Sequence, residues 1–346
     1  MKSASTDRQE TTFIGCSNSW SSHPLVQELE KYAPRFQLVR DDGAGLNRKL
    51  EQGEVTMAFC PSISLVRHAD FEMALPVGVA VESGSSLALW GLSNHNMHLK
   101  NVIDARVEAL REVFRWAQLH KTENLKQAMT VLHQGLANLP VPRLENLPTM
   151  RLNASASSWN VLARVLYRLI FGAEAYDLLV RIASSSGTGT NWNGGGEDGP
   201  NLDLRIENEA LQKRCSFRHY YDLGELWRTI TGLPFVANVL QKNKRNTANC
   251  RSSLSEVLEL AQMRMQIEPC NYLPDILPRN CQQQSIDLCS MWKGVHYRLG
   301  SEDLRGLLVF LALSKPVEKK SGEDDAFTLK MLRWQQREGF MNGQLA

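Results

Sequence analysis

Two short hydroxyl-rich stretches are the residues best suited to chemistry. The first, Ser17-Asn18-Ser19-Trp20-Ser21-Ser22-His23, follows the apolar run Phe13-Ile14-Gly15-Cys16 and precedes Pro24. The second, Ser155-Ala156-Ser157-Ser158, follows Met150 to Asn153 and precedes an amphipathic run, Trp159 to Phe171. Each is predicted to lie where a strand ends and a helix begins. Free N–H groups and hydroxyls converge there, and such a nest takes an anion, above all a carboxylate. One serine in each turn also serves simply as the helix cap, Ser157 or Ser158 in the second. His23 is open to two readings, a base or a histidine held in place by packing.

The composition excludes several other chemistries. The seven cysteines, at 16, 60, 215, 250, 270, 281 and 289, contain no C-x-x-C. They read as free thiols in a reducing cytosol rather than as zinc ligands or disulfides. His95 and His98 lie three apart with no third or fourth ligand nearby. No G-x-x-x-x-G-K-[ST] occurs, so no P-loop is expected. The net charge is +2, with scattered basic residues, which argues against nucleic acid as a partner. The longest apolar stretch, Gly306 to Leu313, is too short to span a bilayer. The N-terminal MKSASTDRQETT has no apolar core, so a secretory signal is not expected and a cytoplasmic location is.

The elements that position these turns alternate. Strands are expected at 13–16, 36–39 and 55–59, with helices at 25–32 and 46–50, the latter closed by Gly53; this order implies a parallel start to a sheet. Residues 92–148 hold two amphipathic helices, with Val102, Val107, Leu110, Phe114 and Ala117 on one face of the first. Leu125, Ala128, Met129, Leu132 and Leu136 form a face of the second. Residues 184–200 contain six glycines and read as a flexible loop. In Tyr220–Asn243, Asp222 caps a short helix, Gly232 ends it, and Leu233 to Leu240 forms a buried strand that Pro234 starts. Trp227 and Phe235 are expected in the core. Ser301 is expected to cap the last core helix.

Asp222-Leu223-Gly224, Trp227 and Thr231-Gly232-Leu233-Pro234-Phe235-Val236 resemble a signature of the chorismate dehydratase family. Leu46-Asn47 with Pro61-Ser62, the run Leu75 to Leu89, Ser155 to Phe171, Leu204 to Leu211 and His296 to Leu311 are similar to further family segments. The resemblance implies an α/β, two-lobed, periplasmic-binding-protein-like type II fold with parallel-rich sheets and an inserted helical pair. It implies a lobe from 12–91 and 239–314, and a second at 92–238 that includes the insertion 92–148 and the loop 184–200. Residues 1–11 and 315–346 would be tails, the latter with a short helix at Leu329 to Glu338.

The implied activity is a lyase that dehydrates chorismate to 3-[(1-carboxyvinyl)oxy]benzoate in menaquinone biosynthesis by the futalosine route. Its partner would be this small dicarboxylate, with no cofactor and no metal needed. Ser21 falls where the family carries an active-site Asn, and is the expected catalytic position. Ser62, Ser86 (or its neighbour Ser85), Ser155, Ser157, Ser158 and Asn208 would bind substrate. Glu207 and Asn208 stand where the family has Gly and Asp, and Thr56 where it usually has Asp. These departures leave a second reading open, a non-catalytic binder of a small carboxylate, and a third, protein interaction through the 92–148 helices. Hydroxyls and helix N-termini anchor carboxylates and assist a departing hydroxyl, but they do not supply the proton acceptor that an elimination needs.

Overall fold

Among the described residues, ten strands build two sheets. The computed structural model describes residues 12–32, 36–82, 88–92, 97–117, 124–142, 148–152, 157–185, 202–207, 209–210, 217–246, 257, 259–264, 267–272 and 282–318. Strand β1 (Thr12–Cys16) pairs in parallel with β2 (Phe36–Arg40) and β3 (Met57–Pro61). The helices between them, α1 (His23–Tyr32) and α2 (Gly43–Gln52), complete the expected βαβαβ start. Pro24 lies in the first turn of α1, where its missing N–H costs nothing. The third strand begins two residues later than its sequence suggests and runs on through Pro61. After the one-turn helix α3 (Ser64–Arg67), β4 (Phe71–Val81) continues the sheet.

The chain then leaves for a second sheet and returns only at β9 (Phe235–Asn243), which inserts antiparallel between β3 and β4. With β10 (Val295–Arg298) on β4, the first sheet has the order β10-β4-β9-β3-β1-β2. The second sheet has the order β6-β7-β5-β8, from β5 (Ala88–Leu92), β6 (Met150–Arg151), β7 (Leu202–Ile206) and β8 (Tyr220–Asp222). A strand from the far end of the excursion thus splits the first sheet, giving the two-lobed α/β arrangement of the periplasmic-binding-protein type. Among the described residues, parallel pairing is confined to β1–β2, β1–β3 and β6–β7, and the other ladders are antiparallel.

Helices α4 (Met97–Ala117) and α5 (Leu125–Asn138) are the inserted pair, and α6 (Ser158–Phe171) and α7 (Ala173–Ser185) follow β6. Val107, Leu110, Phe114 and Ala117 of α4 are buried as expected, joined by Leu99, Ile103 and Arg106. Val102 is only partly buried. Arg106 donates to the carbonyls of Leu169, at the C-terminal end of α6, and of Pro140. A guanidinium there meets the negative end of the helix dipole. This ties the insertion into the second lobe's core rather than leaving it as a free lid.

The turn into β9 behaves as its sequence requires. Asp222 caps α8 (Leu223–Thr231) by accepting from the Glu225 N–H at 3.0 Å, and Gly232 closes it at φ 74°. Trp227 and Phe235 are fully buried, with Trp159 and the Phe310 ring completing an aromatic cluster. Helix α9 (Gln282–Lys293) precedes β10, and α10 (Ser301–Glu318) crosses the turn. A Cβ on Gly306 would stand 2.1 Å from the Pro234 carbonyl oxygen, so α10 can lie this close only on a glycine. Ser301 is not the cap of α10 but its first residue. Asp303 instead accepts from the Gly300 N–H at 2.8 Å, because its longer side chain folds back over the helix end. The helix continues past Lys315 to Glu318, whose carboxylate holds Arg67 of α3 and Arg164 of α6. The expected loop 184–200 starts later than its composition suggests, because α7 runs on through Ser185; its remainder, the short helix at 329–338 and the N-terminal tail lie outside the described residues.

Candidate functional site

The parallel strands set where the donors collect. β1 and β3 run in register, Ile14 beside Met57, so their carboxyl ends and the turns after them share one edge of the first sheet. β6 and β7 run parallel in the second sheet, Met150 beside Leu202, so the residues after them share an edge too. The two edges meet. Ser62, just after β3, lies 3.0 Å hydroxyl to hydroxyl from Ser158, the first residue of α6. The turn after β1 meets Glu207, the residue after β7. Crevices at the carboxyl ends of parallel strands are where open α/β sheets bind ligands.

The first turn is a nest of hydroxyls. Ser17, Ser19 and Ser22 bond one another through their Oγ atoms at 2.5–3.1 Å, and Ser21 Oγ lies 3.2 Å from Ser19 Oγ. The backbone is pinned from below: Trp292 Nε1 donates to the Trp20 carbonyl at 2.8 Å, and the Tyr297 hydroxyl to that of Ser21 at 3.0 Å. With its carbonyls thus held, the turn aims its N–H groups the other way. The Trp20 N–H donates to Glu207 Oε2 at 2.9 Å, and Ser21 adds its Oγ at 3.5 Å from Oε1. The nest therefore already holds a carboxylate, supplied by the opposite sheet.

That carboxylate is held under strain and against hydration. Glu207 has φ 55°, the left-handed region that side chains other than glycine seldom occupy. The residue as a whole is half-buried, but its carboxylate end is deep. Loss of hydration pushes its pKa from 4.5 up to about 7, although the bonds from Trp20 and Ser21 pull the other way. His23 is placed differently. Its ring stacks on Trp292, its Nε2 lies 3.0 Å from Gln27 Nε2, and burial lowers its basicity.

The sequence-predicted site residues divide. Ser21 lies in the nest beside Glu207. Ser62 and Ser158 meet across the seam, both buried, with Ser62 Oγ also donating to the Val236 carbonyl at 2.7 Å. Ser158 Oγ accepts from the Ile63 N–H at 3.4 Å. Ser157 is the cap of α6, accepting from the Asn160 N–H. Ser86, Ser155 and Asn208 lie outside the described residues. Glu207 was not among the expected site residues. The sequence marks it only as a departure from the motif it resembles, which has glycine there, and nothing local points to its partner.

Among the described residues no group of three or more His, Cys, Asp or Glu is gathered as a metal would need. Cys16 and Cys60 are buried, and burial pushes the Cys16 thiol up to about 12, so it is not a nucleophile. No helix among the described residues is long and apolar enough to cross a membrane.

No family model matches the chain, and no curated protein matches it. Several solved structures resemble it in chain trace. The CA3427 gene product of Candida albicans, described as having the generic periplasmic binding protein fold, is 14% identical with a TM-score of 0.47, covering 93% of this chain and 94% of its own. An ABC transporter structure from Parabacteroides distasonis is 14% identical with a TM-score of 0.48, covering 89% and 93%. The alkanesulfonate-binding protein SsuA of Xanthomonas axonopodis pv. citri, bound to MOPS, is 12% identical with a TM-score of 0.45, covering 87% and 92%. At this level the likeness does not extend to what the present chain binds.

Proposed function

We propose that the chain binds a small aromatic-ring precursor carboxylate at the seam between its sheets and acts on it as a lyase, dehydrating chorismate to 3-[(1-carboxyvinyl)oxy]benzoate. The observation that carries the reading is the Glu207 carboxylate in the Trp20–Ser21 nest. It supports both halves of the chemistry. A carboxylate bound there means that the nest's donors have the geometry a ligand carboxylate requires. A carboxyl group balanced near neutrality is also the proton acceptor that serines cannot provide. The resemblance of the Asp222–Val236 segment to chorismate dehydratases names the substrate.

In this reading Glu207 takes the proton from the ring carbon. The electrons of that C–H bond enter the ring, the adjacent C–O bond breaks, and the leaving hydroxide collects the proton from Glu207 as water. The carboxylate is regenerated and no electrons are gained or lost. Ser21 and the neighbouring hydroxyls hydrogen-bond the departing oxygen. The test is to mix the protein with chorismate and follow the aromatic product by absorbance and mass. Turnover in the unaltered protein, lost by a factor of about 100 or more in Glu207→Gln with chorismate still bound, is the expected result. Binding without turnover in both forms favours a non-catalytic carboxylate binder. That second reading draws on Ser21 and Glu207 themselves, which replace the Asn and Gly of the related motifs. A cytoplasmic site of action follows the same reading.

A further inference from the structure

We propose that Glu207 is a built-in occupant of the ligand site, and that a ligand binds by exchanging its own carboxylate for that of Glu207. The inference rests on the reading of the seam as a carboxylate site and adds how that site is kept when empty. Three observations meet at one residue. The carboxylate takes the Trp20 N–H at 2.9 Å and the Ser21 hydroxyl at 3.5 Å, the groups a ligand carboxylate would use. It reaches them from the opposite sheet, 187 residues along the chain, so the contact fastens the edge of β7 to the turn after β1. Its backbone is left-handed, a conformation whose cost persists only where surrounding contacts enforce it.

Such a contact is a competitor in the thermodynamic sense. If the nest is filled from within for most of the time, the apparent affinity for a ligand falls by the fraction of molecules in which it is open. A ligand carboxylate that is ionised at all working pH values can displace one that pays for its charge by burial. Displacement has a second consequence. It releases Glu207 beside the bound ligand, where the lyase reading needs a base. The first carboxylate to arrive thus both anchors the ligand and frees the base. The groups lining the turn do not do this in its place. His23 is stacked on Trp292, the Tyr297 hydroxyl is spent on the Ser21 carbonyl, and Arg40 bonds Asn18.

The test uses the full chain and four proteins: unaltered, Glu207→Gly, Glu207→Asp and Glu207→Gln. Glycine accepts the left-handed backbone and removes the occupant. Aspartate is one methylene shorter and withdraws the carboxylate from the Trp20 N–H. Glutamine keeps an acceptor in the nest. Calorimetric titration with benzoate and with chorismate is expected to give an affinity about tenfold or more higher for Glu207→Gly, an intermediate gain for Glu207→Asp, and none for Glu207→Gln. Hydrogen exchange at the Trp20 amide should be about tenfold or more faster in the ligand-free glycine form and slow again once benzoate is added. Equal affinities and equal Trp20 protection in the unaltered and glycine forms, or no carboxylate bound by either, overturn the exchange. The lyase reading fails separately. A glycine form that gains affinity while no form converts chorismate leaves the exchange standing and removes the chemistry.

Discussion

Two turns in this molecule share one sequence plan and have different fates. Both Ser17–His23 and the serines before Trp159 follow a strand, carry hydroxyls and open a helix. At the second, the hydroxyls are consumed by the protein: Ser157 caps α6, and Ser158 joins Ser62 and the Ile63 N–H in a closed, buried knot. At the first, the serines bond each other, Trp292 and Tyr297 hold the carbonyls, and the N–H groups are left facing a carboxylate. A strand–hydroxyl–helix turn therefore fixes where donors will be, not what they will face. The facing group decides whether the turn is a joint or a site, and it comes from elsewhere in the chain.

The comparison breaks most visibly in the pH dependence of stability. Glu207 holds its proton more tightly in the folded chain, with a pKa raised from 4.5 to about 7, than when unfolded. The folded state then binds more protons than the unfolded one between these values, so this contribution to stability is fully present below about 4.5 and is lost as pH rises towards about 7. The loss is at most about 3 kcal/mol. Denaturant midpoints of the unaltered protein minus those of Glu207→Gln, taken from pH 4.5 to 8, should fall through this window and then level. A flat difference would mean that the carboxylate is not buried against the nest. No comparable effect is expected from the Ser62–Ser158 knot, which has no group that titrates there.

The knot should answer to a different change. Ser62→Ala removes the partner of both the Val236 carbonyl and the Ser158 hydroxyl inside a buried joint. The expected cost is about 1–3 kcal/mol in unfolding, with the denaturant slope unchanged. Ser157→Ala should cost about 1 kcal/mol, the loss of one partly buried helix cap. If both serine changes are silent, the second turn is not a joint and the contrast between the turns fails.

How much of this was legible follows the range of the interactions. Asp222 and Gly232 act on their own helix, so their roles could be read from a dozen residues. The parallel start of the sheet was likewise local, set by alternating elements at 12–61. What stayed hidden was long-range. The insertion of β9 between β3 and β4 makes the ladders there antiparallel, and it depends on the chain's return after the whole second sheet. Glu207 reads as an ordinary charged residue after a strand until its partner, 187 residues away, is known. Ser301 shows a smaller version of the same limit. Its type fits a cap, yet Asp303 two residues later takes the bond.

The smallest expected effect lies within the nest itself. Ser21 sits where the resemblance places the catalytic position, so Ser21→Ala would be costly if its hydroxyl held Glu207 in place. The geometry argues against that. Its Oγ is 3.5 Å from Glu207 Oε1, at the outer limit of a hydrogen bond, whereas the Trp20 N–H is at 2.9 Å. Ser21→Ala should therefore change stability by no more than about 0.5 kcal/mol. It should also raise the Glu207 pKa slightly further, because one bond favouring the charged form is gone. A carboxylate titration followed by carbon-13 NMR would read that upward shift directly. If lyase turnover nonetheless drops by about tenfold in Ser21→Ala, while stability and chorismate affinity hold, the hydroxyl acts on the departing oxygen and not on the latch. A large loss of stability would instead make Ser21 a joint residue like Ser62, and the two turns would no longer differ in kind.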